Sequence, residues 1–151
     1  MDLLHLIALA GFIGALGMTL PMQTISLVNK GAGNMIVALG SLVTGSRKNA
    51  ITSGLIIHLV SGVGFAILYS FIPTIFKATS LGAFMALGVV AGFFHGFVVS
   101  FMLIALVSNL HPLEEFREAG IVTGASHILG HVLYGVITMA MLYFFGINSP
   151  A

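Results

Sequence analysis

The chain has 151 residues, enough for one domain spanning 1–151, and it is 58% hydrophobic and 6% charged. A soluble domain carries about 25% charged residues, so this composition excludes a globule covered by water, and the net charge of only +1 with no long basic cluster excludes nucleic-acid binding. Cysteine is absent, which removes disulfides, iron–sulfur clusters and thiolate zinc sites.

A helix crosses a bilayer with about 20 mostly apolar residues. Four stretches meet this requirement, at about 3–28, 50–73, 81–107 and 121–146, and none contains Lys, Arg, Asp or Glu. They predict an all-α bundle of four transmembrane helices, made of two repeated helical hairpins and surrounded by lipid. The first stretch follows Asp2 rather than a basic segment and shows no small-x-small cleavage site, so it reads as a retained helix, kinked at Pro21.

Between the first two spans, Met35–Val43 is apolar but too short to cross. It reads as a re-entrant or interfacial segment, with a helix lying on the bilayer surface as the plainer form; glycines 31, 33, 40 and 45 loosen its backbone. The loop 108–120 reads as a short helix with Pro112 at its first position, Glu114 and Glu115 at the positive end of its dipole, and Gly120 at its end. Along it, His111, Glu115 and Glu118 fall at i, i+4 and i+7, a spacing for a surface metal or, more plainly, a solvated face or docking patch. With no tryptophan, Tyr69, Tyr134, Tyr143 and the phenylalanines are expected to form the aromatic belt at the interface.

Basic residues in short loops set orientation. Lys30, Arg47 and Lys48 lie in the first loop and Arg117 in the third, against Lys77 alone in the second. Loops one and three are therefore expected in the cytoplasm and both termini outside.

The chain also echoes itself. His58-Leu-Val-Ser-Gly62-Val63 aligns with His131-Val-Leu-Tyr-Gly135-Val136, Leu68-Tyr69 with Leu142-Tyr143, and Gly11-Phe-Ile-Gly14 with Gly92-Phe-Phe-His95. A two-helix unit returns the chain to its starting side, so the repeat is parallel rather than inverted. The run Gly-x-x-Gly-Ala-x-Gly-Met-Thr from Gly11 to Thr19, followed by His58-x-x-x-Gly62-Val63 and Leu68-Tyr69, resembles small prokaryotic four-helix membrane proteins of unknown function. The resemblance covers the two repeat cores and implies no catalytic residue.

Small residues recur at helical spacing: Gly54, Gly62 and Ala66 in the second span, Gly88, Gly92 and Gly96 in the third, and Gly135 in the fourth. Such stripes let membrane helices approach closely, or clear space for a flat cofactor. His58, His95, His127 and His131 lie inside the spans. At 1.5 Å per residue, His58, His131 and His95 fall roughly 12, 15 and 18 Å from the loop-one side, close to one level, with His127 one turn nearer that surface. Imidazoles at this depth bond carbonyls or hydroxyls such as Ser61, Ser100 and Thr138, ligate haem or a metal with His58 and His131 as the natural pair, or pass protons or ions. Met18 and Met22, flanking Pro21, and Met139 and Met141 would add thioethers suited to Cu(I), although methionine ordinarily fills gaps.

Phosphate loops, His-Glu-x-x-His and Gly-x-Ser-x-Gly are absent, and no acid accompanies the intramembrane histidines. These observations point to a small non-catalytic accessory subunit of a larger membrane complex of respiratory, photosynthetic or monooxygenase type, its glycine faces contacting other subunits or itself. The alternatives are a haem- or copper-binding electron-transfer protein using the histidines, and a small homo-oligomeric transporter or channel.

Overall fold

The structure is a computed structural model that describes residues 1–28, 34–117 and 121–147. Among these residues it is all-helical: α1 (Leu3–Val28), α2 (Met35–Thr44), α3 (Ala50–Ile75), α4 (Leu81–Leu110) and α5 (Ile121–Phe144), with a single 3-10 turn at Glu114–Phe116. Within α1, α3, α4 and α5 lie segments long and apolar enough to cross a bilayer, at Leu3–Thr24, Ala50–Ile75, Leu81–Leu106 and Ile121–Phe144. This is consistent with a multi-pass membrane protein. The long helices are apolar all round, and their large outward side chains, such as Phe94 at 62% and Phe101 at 63% exposure, present hydrocarbon surface.

α5 is the centre of the packing. It lies against α4 on one side and α1 on the other, α1 in turn packs on α3, and α2 packs on α3. α3 meets α4 and α5 only lightly, which leaves room between them. Lipid gives no hydrophobic drive between helices, so close van der Waals contact must hold them together. The glycines supply it. A side chain at Gly88 would run into the carbonyl of Gly135, and one at Gly92 into the carbonyl of His131 and the backbone of Val132. Gly62 and Gly11 bring α3 and α1 together in the same way. The close-packing glycines of α4 thus face α5 inside the chain, rather than a neighbouring subunit.

α2 is a ten-residue helix, too short to cross a bilayer, that packs on α3. Asn34 caps it by accepting from the Val37 N–H, and Gly45, at φ 68°, ends it with its N–H donating to Ser41. Ile36 lies against Gly54 and Gly40 against Ala50, so α2 runs antiparallel beside the first turns of α3. Two glycines without side chains make that backbone contact feasible, and Ile36, Val37 and Ala38 are buried by it.

The third loop differs from the expected short helix. α4 continues to Leu110, and only Glu114–Phe116 is helical beyond it, as one 3-10 turn. His111 is fully buried rather than part of a solvated face. Its Nδ1 lies 3.0 Å from both the N–H and the carbonyl of Leu113, and its Nε2 lies 3.0 Å from the Ala38 carbonyl of α2. Arg47 forks onto Glu115 with bonds of 2.8 and 2.6 Å, and Phe116 packs against Val37, Ala38 and Ala50. Loops one and three therefore share one end of the bundle, and α2 is clamped between α3 and the third loop. Glu118 and Gly120, like Lys30, Gly31 and Gly33, lie outside the described residues.

Replacing Gly92 with Leu should destabilise the isolated chain by about 1–3 kcal/mol or more, because backbone rather than a movable side chain stands in the way. Gly64 has open space around it, so Gly64→Leu should be close to neutral. Thermal unfolding of both variants in detergent checks the contrast, and equal melting would refute the packing assignment.

The Arg47 guanidinium, by hydrogen bonding and charge, holds the Glu115 carboxyl below its ordinary range. A depressed carboxylate stabilises above its unfolded value and loses that contribution as pH falls through its folded one. Amide-exchange protection of residues 36–41 should therefore persist at neutral pH and drop in acid below the usual carboxylate range. In Arg47→Gln this pH-dependent drop should be absent; an unchanged pH profile would remove the clamp from the account.

Candidate functional site

The cavity left between α3, α4 and α5 has a volume of about 190 Å³. All five helices reach it: Met18 and Met22 from α1, Met35 and Ile36 from α2, His58 and Phe65 from α3, His95 from α4, and His127, His131 and Tyr134 from α5. The four histidines of the candidate spans thus line one space. Their common depth, expected from the helix rise, is matched by a common cavity.

Their surroundings divide them into two pairs. His58 Nε2 lies 3.3 Å from the Ala15 carbonyl of α1, and His127 Nδ1 lies 3.3 Å from the Thr123 carbonyl one turn earlier in its own helix. Each has an acceptor for a ring N–H, as bonding between and within membrane helices requires. His95 and His131 are different. Their rings are 4.3 Å apart, and His95 Nε2 and His131 Nδ1 are buried with no hydrogen-bond partner among the described residues. A buried polar atom left unpaired costs about 1–3 kcal/mol, so two of them side by side are a conspicuous expense in a chain this apolar.

Glycine packing creates this pair. A side chain at Gly96 would collide with the Cβ of His131, so the absence of one lets the imidazole come in beside His95, one residue earlier on α4. Phe65 covers the other side of His95, with ring centroids 3.9 Å apart. Gly130, next to His131, leaves space filled by Met22 Sδ and Met18 Cε. Thioethers from α1 therefore stand against the segment of α5 that carries the histidines.

Tyr69 and Tyr134 are not interfacial. They are 4% and 1% exposed and meet edge to face at 5.4 Å. The Tyr134 hydroxyl donates to the Gly62 carbonyl at 2.6 Å, tying α5 to α3 across the floor of the cavity, and the Tyr69 hydroxyl lies 3.4 Å from His95 Nδ1. The sequence held one signal for this: Tyr134 follows His131 by three residues and so shares its helix face.

Among the described residues no three His, Asp or Glu side chains are grouped to hold a metal ion. No protein-family model, curated protein or solved structure matches the chain.

Tyr134→Phe removes a hydroxyl bond from α5 to α3 and leaves the Gly62 carbonyl without that donor. Its cost should be about 0.6–1.7 kcal/mol, the range of interhelical bonds in membrane proteins, measured as a fall in unfolding free energy in mixed micelles. A variant as stable as the parent would mean that packing alone fixes the cavity.

Proposed function

We propose that this chain is a small, non-catalytic membrane protein that holds a small ligand or ion in its histidine-lined cavity. The observation that carries the reading is the pair His95 and His131, brought to 4.3 Å with one unpartnered buried nitrogen on each ring. Unpaired polar atoms at such depth face function more often than they serve stability.

The size of the space favours a small occupant. A cavity of about 150 Å³ takes one benzene molecule, whereas haem carries four pyrrole rings around its metal. At about 190 Å³ the space suits an ion or a molecule of a few atoms rather than a tetrapyrrole.

The duplication fits this reading. His58 and His131, equivalent in the repeat, both line the cavity, and Gly62 and Gly135 each pack on the preceding long helix, α1 and α4. The excess of basic residues in loops one and three favours a cytoplasmic α2 end, with both termini outside. Assembly with other subunits of a respiratory, photosynthetic or monooxygenase complex is the second reading. It is favoured by the outer face of α4, where Phe93, Phe97 and Phe101 stack in a ridge; that face, rather than the glycine stripe, would meet the partner.

Replacing an unpaired buried imidazole with an apolar side chain should remove its desolvation cost. His131→Leu is therefore expected to raise the unfolding temperature of the empty protein and to abolish retention of any bound mass in native mass spectrometry. Lower stability with unchanged bound mass would refute the cavity reading. Other chains retained in the same spectra would support the subunit reading, and flux through liposomes holding this chain alone would favour a channel instead.

A further inference from the structure

We infer that the cavity binds one monovalent soft cation, Cu(I), through His95 and His131 and a methionine thioether of α1. The inference rests on the ligand-holding reading and names its ligand.

The donor set comes first. The spans offer neutral imidazole and thioether but no carboxylate and no thiolate. Imidazole alone suits several transition metals, whereas thioether added to it selects Cu(I). Met18 and Met22 both line the cavity, and both extend toward Gly130, the neighbour of His131. Met18 is 2% exposed, so its sulfur is held inside the bundle rather than in lipid. A third donor of this kind is what the pair requires, since no third His, Asp or Glu joins it among the described residues.

Charge decides between ions. The Born cost of burial scales with the square of the charge, so a dication costs roughly four times as much as a monocation of the same size. No acid lies in any span to offset it. Zn(II) or Cu(II) would leave two uncompensated charges in hydrocarbon, whereas Cu(I) leaves one and forms bonds of large covalent character with sulfur and nitrogen. Two imidazoles with a nitrogen free on each, in a cavity that methionines also line, fit the low coordination number of that ion.

His58 and His127 then have another part. One ring nitrogen of each, His58 Nε2 and His127 Nδ1, faces a backbone carbonyl, which makes them positioning residues that fix the cavity wall.

The test uses the full chain in detergent, loaded anaerobically with Cu(I) and ascorbate against a colorimetric Cu(I) chelator. The expected result is one Cu(I) per chain, with sulfur in its X-ray absorption shell. Met18→Leu/Met22→Leu conserves volume and should keep the fold while weakening Cu(I) by at least roughly tenfold and removing the sulfur signal. His95→Leu/His131→Leu should abolish binding. Equal retention by that double variant would overturn the proposal by placing copper on His5 or another surface group. Displacement by equimolar Zn(II), or an unchanged affinity in the methionine variant, would overturn it as well. Should Cu(I) fail to bind while His131→Leu still releases some other bound mass, copper is wrong and the cavity reading stands; failure of both would remove the two together.

Discussion

Everything in this bundle depends on how closely α4 and α5 approach. The contact is backbone on backbone: Gly88 against the Gly135 carbonyl, Gly92 against the carbonyl of His131. In water, burial of apolar side chains would pull two such helices together. In hydrocarbon that force vanishes, and only dense atomic contact remains to prefer helix over lipid. Glycine maximises that contact by removing the side chain that would hold the backbones apart. The same approach sets the position of the chemistry, because Gly96 admits His131 to the side of His95. Packing and site are one arrangement: a larger residue in the stripe would separate the helices and the imidazoles together.

Polar groups are segregated along the bundle according to what can satisfy them. At the loop-one end, Arg47 and Glu115 pair across two loops, and His111 uses both ring nitrogens, one toward Leu113 and the other toward Ala38. Deeper, Ser100 donates to the Gly124 carbonyl and Tyr134 to that of Gly62, each bond joining two helices. These groups follow the rule that a buried polar atom finds a partner. His95 and His131 break it, in the place where all five helices leave a space.

The sequence made some of this legible and not the rest, for physical reasons. Spans are visible because charge is intolerable at bilayer depth and the helix rise fixes their length, so the ends at Leu3, Ala50, Leu81 and Ile121 are read directly from composition. The shared level of His58, His95 and His131 also follows from rise per residue alone. Facing is another matter. Helices that are apolar all round carry no amphipathic stripe, so nothing in the pattern says whether Gly92 turns toward α5 or toward another subunit, or whether Tyr69 and Tyr134 point to the interface or the core. The third loop was misleading for a related reason. The spacing of His111 and Glu115 suits a helix face, but His111 instead lies under α2, a long-range contact that local periodicity does not encode.

The absence of acids bears on what the cavity is for. The chain spends its carboxylates elsewhere, on the Arg47 clamp and near the ends. What remains inside is a set of neutral donors with lone pairs and no charge of their own. Such a set suits the proposed occupant, which would bring a single positive charge and take electron pairs in return. On that proposal the two open nitrogens are matched by the occupant rather than by the protein, and filling the space would return the stability given up in the empty bundle.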